Sequence, residues 1–353
     1  MTNVKLEVAH GADLGLRYGG VWDRREFVKG VAALTGSAGL FGYDMRLAAA
    51  EPPPEVTTLR LTAFPVACVA PQYVAEALLR AEGFTDVRYI ETDTTATGPF
   101  VGPGQADFDT DAVAPIVTYI DAGAPVVTLA GLHLGCYELF GTEQVRSIRD
   151  LKGKTVPVDA LGGSKHVLLS SMAAYVGLDP RKDIKWVVVS LDEGIKLFAE
   201  GKADAFLGFP PEPQELRARK IGRVIVNTAT DKPWSQYYCC MLITHREFLQ
   251  KHPVATKRAV RAILKAADLC AQEPERAART MVDKGFAQNY GYTLETLKEV
   301  RYDAWRIHNP EDSMRFHALR LNEVGMIKST PQKIISQGTD WRFLNKLKKE
   351  LKA

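Results

Sequence analysis

The sequence predicts an α/β protein of two lobes built to one plan, with a ligand cleft between the lobes and a hinge of two crossovers. Three observations lead there. Strand-like and helix-like stretches alternate from residue 56 to residue 228, the pattern of parallel sheets with right-handed crossover helices. A phrase recurs: GQADFDTDAVAP at 104–115 and GKADAFLGFPPEP at 201–213 each run Gly, one polar residue, Ala-Asp, a short strand and a Pro-bearing loop. Both copies follow a helix ending in Gly-Phe or Gly-Leu and a strand opening Asp-Val or Asp-Ile. The gap is 21 residues from Gly83 to Gly104 and 24 from Gly177 to Gly201. Open α/β sheets bind ligands beyond the carboxyl ends of their strands, so the two loops are expected to face one cleft.

The first 50 residues read as a leader. Arg24-Arg25 precede the Gly- and Ala-rich run VAALTGSAGLFGY, and Ala48-Ala49-Ala50 precedes EPPPE, the order of an n-region, h-region and small-residue cleavage site. DRREFVKG is similar to a twin-arginine signal, with Asp23 where Ser or Thr is usual and Val28 where Leu is usual. The competing reading is an N-terminal amphipathic helix.

VTTLRLTAF (56–64) alternates and is β-branched, as a strand requires. In PQYVAEALLRAEGF (71–84), Pro71 suits a first turn, and Val74, Ala77, Leu78 and Ala81 have the spacing of one buried helical face. DVRYIE (86–91) is a strand, ADFDTDAV another, APIVTYIDAG (114–123) a helix and APVVTLAGLHL (124–134) a buried strand. The second lobe repeats the order. KTVPVDA (154–160), DIKWVVVS (183–190), ADAFLGF (203–209) and GRVIVNT (222–228) are strands; 164–178 and 191–202 are helices.

After residue 230 the pattern changes. PWSQYYCCMLITH (233–245) reads as a strand, and a helical return leads from it to the C-terminus. On that return Lys257, Arg258, Arg261 and Lys265 oppose Val260, Ile263 and Leu264, which reads as a solvated basic face. The expected division is a leader over 1–50, lobe one over 55–140 plus 236–353, and lobe two over 141–235, with hinge crossovers at Gly135–Gly141 and Lys232–Gln236.

The chain has 353 residues, 46% hydrophobic and 25% charged, with a formal charge of +3. That composition suits a soluble globular protein. No basic stripe interleaved with aromatics points to nucleic acid, and no run of about 18 apolar residues predicts a membrane span. Five cysteines, Cys68, Cys136, Cys239, Cys240 and Cys270, show no C-x-x-C pair and no Cys/His zinc spacing. Buried free thiols are therefore expected, with no metal and no cofactor. Strand alternation sends Cys239 and Cys240 to opposite faces.

Four stretches carry a family resemblance: LRLTAFPVACVAPQYVAEALLRAEGF, SIRDLKGKTVPVDALGGSKHVLLSSMAAYVGLDPRKDIKWVVV, FAEGKADAFLGFPPEP and YYCCMLITHREFLQKHPVATKRAVRAILKA. Together with the leader they resemble a periplasmic solute-binding protein of an ABC importer, of the nitrate, alkanesulfonate, taurine and thiamine-pyrimidine group. The resemblance implies a monomer that hands a small polar or anionic solute to a membrane permease and is not an enzyme. It departs from the group in the first loop, where Phe64, Pro65, Ala67 and Cys68 stand in place of the Ser, Thr or Gln that often hold a small ligand. Two enzymes share the fold: the fungal thiamine-pyrimidine synthase, which depends on a dense cysteine cluster, and a lyase of the menaquinone type. A ligand-sensing partner of a membrane receptor is a third alternative. The leader favours binding over synthesis.

Candidate ligand contacts are the loops beyond the strand ends. GGSKHVLL (162–169) opens a helix, whose free amides and dipole attract anions. Lys165 and His166 would add charge; the plainer reading is an N-cap by Ser164. Asp109 and Asp111 share one side of their strand and would receive an amine or N–H edge, or serve only as turn caps. Phe64, Phe209, Trp234 and Tyr237 are candidate walls, with Trp234 the preferred stacking surface and core packing the alternative. Glu212, in the second Pro-bearing loop, completes the set. His133 is read either as a contact or as an interior histidine.

Overall fold

The computed structural model describes residues 51–64, 66–92 and 101–352; the leader reading lies outside the described residues. The first unit runs β1 (Thr58–Ala63), two short helices α1 (Ala70–Val74) and α2 (Glu76–Ala81), β2 (Asp86–Glu91), β3 (Phe108–Ala112), α3 (Val113–Asp121) and β4 (Val126–Leu134). The single helix expected over 71–84 is thus interrupted at Ala75. After β4 comes β5 (Glu138–Gly141), which the sequence did not announce. The second unit continues with β6 (Lys154–Val158), α4 (Ser164–Tyr175), α5 (Pro180–Asp183), β7 (Ile184–Val188), α6 (Leu191–Ala199), β8 (Ala205–Gly208), α7 (Glu212–Arg219) and β9 (Arg223–Asn227). Then β10 (Tyr238–His245) leads into the helical return α8 (Arg246–Lys251), α9 (Pro253–Gln272), α10 (Pro274–Asp283), α11 (Tyr290–Glu299), α12 (Pro310–Glu323), α13 (Pro331–Gly338) and α14 (Arg342–Glu350).

The first sheet has the order β2-β1-β3-β10-β4, with β1 parallel to β2 and β3 and with β10 antiparallel to both its neighbours. The second unit contains a parallel pair β6-β7 and an antiparallel trio β8-β5-β9. The N–H of Asp204 donates to the carbonyl of Thr155 at 2.9 Å, which ties β6 to the entrance of β8. Across that tie the order is β7-β6-β8-β5-β9, position for position the order of the first sheet. Each unit takes its antiparallel strand from the far side of a crossover: β10 returns to the first sheet, and β5 opens the second.

The recurrent aspartates explain the repeated phrase. Asp107 N–H donates to Arg60 O at 2.8 Å while its carboxylate accepts Arg60 N–H at 2.8 Å. Asp204 does the same to Thr155, at 2.9 and 2.8 Å. In both units the Ala-Asp step clamps a third strand to a first, because a carboxylate beside the strand entrance satisfies a main-chain N–H the ladder leaves over.

β5 corrects the expected hinge. Glu138–Gly141 is the central strand of the second sheet, so the first crossover is confined to the residues between Leu134 and Glu138. It lies against the second crossover. Thr228 N–H donates to Tyr137 O at 2.9 Å and Tyr137 N–H donates to Thr228 Oγ1 at 2.8 Å. A Cβ on Gly135 would sit 2.0 Å from Thr228 O, so only glycine permits the two crossovers to touch.

The return packs back on the first unit, α9 covering α1 and α2. Its basic face is not solvated. Lys257 reaches Glu350 at 2.6 Å, and Arg258 donates to Glu82 O at 2.8 Å. Arg261 Nε donates to Glu82 at 2.8 Å; of the four, Lys265 is exposed. Partners distant in sequence, at residues 82 and 350, converted an apparent wet stripe into an internal brace.

Candidate ligand cleft

β1 and β3 end side by side, and their carboxyl ends bring Thr62, Phe64, Asp109 and Asp111 to one place. The second unit supplies Ser164 at the start of α4 and Phe209 after β8, and the first crossover supplies Tyr137. These residues, with Tyr73, Cys68 and Cys240, line a single pocket. Thr62 Oγ1 donates to Asp109 in a short hydrogen bond, and Asp111 Oδ1 accepts the N–H of Ala112 at 2.6 Å. Both aspartates are buried. Phe64 meets Phe209 edge-on with ring centroids 6.3 Å apart, and Tyr137 meets Phe209 likewise at 5.9 Å. Tyr73 holds the first loop by donating to Phe64 O at 2.5 Å and accepting Phe64 N–H at 3.0 Å.

Main chain and side chains bridge the pocket's two walls. Ala67 N–H donates to Pro210 O at 3.1 Å. Arg217 on α7 pairs with Glu295 at 2.7 Å and Glu299 at 2.8 Å on α11, and Ser171 on α4 meets His317 Nδ1 on α12 at 2.9 Å. The cavity left is about 40 Å³, room for about three waters. The cleft is therefore closed, and a ring-sized solute requires the lobes to part.

Of the sequence candidates, Phe64, Asp109, Asp111, Ser164 and Phe209 meet in this pocket, and six do not. Lys165, expected to add charge to the cleft, is buried and spends its charge on Glu212, Nζ to Oε1 2.7 Å, beneath the rings of Phe206 and Phe209. Glu212 also accepts Phe209 N–H at 3.0 Å. The pair braces the second wall from behind, because two opposite charges 47 residues apart in sequence close on each other sooner than on a cleft. Neither of them lines the pocket. His166 turns away: its Nδ1 accepts Gly162 N–H at 3.0 Å, its ring lies edge-on to Trp186, and burial lowers its pKa to about 4. It is neutral at pH 7 and offers no cation. Trp234 and Tyr237 belong to an aromatic group with Tyr175 and Phe316, centroids 5.1 Å from Trp234 to Tyr175 and 4.1 Å from Tyr237 to Phe316. That group packs the second crossover rather than walling the pocket. His133 lies wholly buried below the pocket.

Sequence reasoning missed Tyr137, Tyr73, Cys68 and Cys240. It also missed what surrounds His133. The thiols of Cys68, Cys136, Cys239 and Cys240 gather about this imidazole, and all are free and buried. Cys136 and Cys239 sulfurs are 3.3 Å apart, those of Cys239 and Cys240 3.8 Å. The two adjacent cysteines do not diverge, because β10 carries irregular register on either side of Cys240, and a bulge re-aims a side chain. Burial pushes the Cys68 thiol up, but Cys136, Cys240 and His133 draw it well below its ordinary value. Cys239 is likewise drawn down, against burial, by Cys136, Cys240 and His133. Burial lowers His133, and the Cys68 and Cys239 sulfurs outweigh it to raise the pKa to about 8.

Two tandem α/β units of matching strand order, joined by two crossovers and closing on a pocket at their strand ends, define a two-lobed binding fold of the periplasmic type. A family model described as NMT1/THI5 like matches residues 69–277. The chain belongs to the NMT1/THI5-like family. It is 24% identical over 267 residues to the 4-amino-5-hydroxymethyl-2-methylpyrimidine phosphate synthase THI13 of Saccharomyces cerevisiae, covering 67% of this chain and 77% of that protein. Its fold is similar to that of the periplasmic nitrate-binding protein NrtA from Synechocystis PCC 6803: TM-score 0.69, 15% identity, 85% of this chain and 90% of that one. The alkanesulfonate-binding protein SsuA from Xanthomonas axonopodis pv. citri, bound to MOPS, gives a TM-score of 0.59 at 19% identity, over 72% of this chain and 86% of that one.

Proposed function

We propose that this chain is the exported solute-binding component of an ABC importer, and that its solute is a small ring or chain bearing N–H or amine donors. One observation carries the reading: the polar lining of the cleft pocket is acidic. Asp109 and Asp111 line it, with Thr62 and Ser164, and among the described residues no Lys, Arg or His does. Carboxylates accept N–H donors and repel anions, so nitrate and taurine are disfavoured and an aminopyrimidine is favoured. A thermal-shift comparison of 4-amino-5-hydroxymethyl-2-methylpyrimidine, taurine and nitrate tests it. The pyrimidine at 100 times its Kd is expected to stabilise by about 2.7 kcal/mol; stabilisation by nitrate or taurine alone contradicts the reading.

Export is proposed through the twin-arginine route, with the mature chain beginning at Glu51. Arg24→Lys with Arg25→Lys is expected to abolish periplasmic accumulation, and normal accumulation of the double variant contradicts it.

A second reading, a pyrimidine phosphate synthase, is favoured by the sulfur groups of Cys68 and Cys240 in the pocket lining and by the name of the yeast relatives. Growth of a yeast strain lacking those synthases, restored by this chain expressed without residues 1–50, would establish it over transport.

A further inference from the structure

Arg217 stands where the second lobe meets the helical return. From α7 its guanidinium reaches three carboxylates. One is Glu138, on the strand that enters the second lobe from the first crossover. The others are Glu295 and Glu299 on α11, at 2.7 and 2.8 Å. Gln214, one turn earlier on α7, donates from Nε2 to Glu299 at 2.9 Å. α11 packs on α7 and also on the turn Ala67–Val69 of the first lobe. Glu295 and Glu299 therefore leave Arg217 when the lobes part. Glu138 stays, because β5 and α7 belong to one lobe.

The charges at this seam do not balance. Of the charged groups that act most strongly on Glu138, Arg217 is the cation; Glu299 and Glu295 on α11 and Asp231 after β9 are anions. Asn227 on β9 donates from its side chain to Glu138 at 3.3 Å, and its N–H donates to Asp231 at 2.8 Å. On the other side β8 sets the uncharged Gly208 opposite Glu138. Glu138 is buried, and its Oε2 has no hydrogen-bond partner, which penalises the ionised form. Burial first, then Glu299, Glu295 and Asp231, outweigh Arg217 and raise the pKa of Glu138 to about 7. In the parted lobes α11 and its two carboxylates are gone and water enters, so the carboxyl moves back toward its ordinary value.

We propose that Glu138 is a proton switch on lobe closure: carrying its proton, it leaves Arg217 to clasp Glu295 and Glu299 across the seam, and losing it, it draws Arg217 into its own lobe and adds an anion to the closed seam. The switch rests on the reading of the chain as a two-lobed binder that opens and closes, whatever solute it takes. Closure takes up a proton from solvent, and by reciprocity a falling pH favours closure. The closed form keeps this proton up to about pH 7, and the open form loses it lower. Between the two values each pH unit changes the closed-to-open ratio by at most about tenfold. Above about pH 7 both forms are ionised and the dependence ends. His317 also crosses between lobes, to Ser171, and burial lowers its pKa to about 4. It titrates in the opposite sense, but it is common to every variant below and cancels between them.

The test is small-angle scattering of the solute-free, full-length protein from about pH 5.5 to about pH 8.5, with folding checked by circular dichroism. Relative to Glu138→Gln, which is fixed uncharged, wild type is expected to expand as pH rises, the difference being complete near pH 7. There the closed-to-open ratio of Glu138→Gln is expected to exceed that of wild type by about tenfold or more. Glu275→Gln, exposed and paired with Lys298, is expected to follow wild type. Glu295→Gln with Glu299→Gln, on the half-exposed rim of α11, carries the test if Glu138→Gln does not fold. It is expected to abolish the wild-type step or move it to lower pH. A wild-type profile parallel to that of Glu138→Gln overturns the switch, as does a step unchanged in size and midpoint in the α11 double variant. No solute is present, so a failed solute screen leaves this result standing, and a failed switch leaves the choice of solute untouched.

Discussion

The two copies of the Ala-Asp phrase begin alike and end differently. Asp107 and Asp204 make the same main-chain clamp, 97 residues apart. Beyond the clamp the first copy continues Phe108, Asp109, Thr110, Asp111 and brings two carboxylates to the cleft. The second continues Ala205, Phe206, Leu207, Gly208, Phe209 and brings an aromatic wall, while the charges nearest it, Lys165 and Glu212, are closed on each other. One scaffold thus carries two linings: the first lobe presents the two carboxylates, and the second an aromatic wall with Ser164 beside it and an internal ion pair behind it. The clamp is the structural element the two copies share; the residues beyond it are free to differ.

Breaking the brace is expected to have the largest effect. Glu212→Gln leaves Lys165 buried without its counter-ion, a change that costs roughly 3–5 kcal/mol. Lys165→Met with Glu212→Leu removes both charges and is expected to recover most of that loss. Urea unfolding of the single and double variants checks it; equal losses in both would mean the pair is not the brace.

The clamps come next. Asp204→Ala removes a charged acceptor from a backbone N–H, worth about 1.5–3 kcal/mol. Asp107→Ala is expected to cost the same plus up to about 1 kcal/mol, because Asp107 also holds the half-exposed Arg60 guanidinium at 2.6 Å. Unfolding curves in which only one of the two aspartates matters would break the symmetry claimed for the lobes.

The pH profile probes contacts of the second lobe. Burial lowers both His166 and His317 to about 4, against about 6.5 in an unfolded chain. Between those values the unfolded chain takes protons that the folded one refuses. The stabilising contribution of each is complete above pH 6.5 and is lost as pH falls toward 4, by at most about 1.4 kcal/mol per pH unit and group. His317→Asn is expected to flatten that acid branch by one group's share, and a slope identical to wild type would refute it.

Local pattern made the scaffold legible. β2 (Asp86–Glu91) was placed to the residue, and the alternation of strands and helices gave the two units, because each of those elements is long enough to show its own periodicity. Glu138–Gly141 was read as hinge because four buried residues in a central strand have no alternation to display. The site was legible where a strand end carried it, as at Asp109, Asp111, Phe64 and Phe209, and where a Gly-rich turn opens a helix, at Ser164. Lys165 was read as a cleft cation because its partner lies 47 residues away. Cys239 and Cys240 were sent to opposite faces because a bulge leaves no mark in composition. The cysteine group around His133 escaped entirely: four chain segments contribute to it, and no spacing rule spans them.

The division of labour between the lobes is tested most directly by calorimetric titration of 4-amino-5-hydroxymethyl-2-methylpyrimidine into wild type, Asp109→Asn and Phe209→Leu. Asp109→Asn removes a charged acceptor from the first lobe and is expected to weaken binding by about 1.5–3 kcal/mol. Phe209→Leu keeps an apolar wall on the second and is expected to lose under about 1.5 kcal/mol. A Kd for Asp109→Asn within twofold of wild type, or a larger loss from Phe209→Leu, would contradict the assignment of recognition to the first lobe.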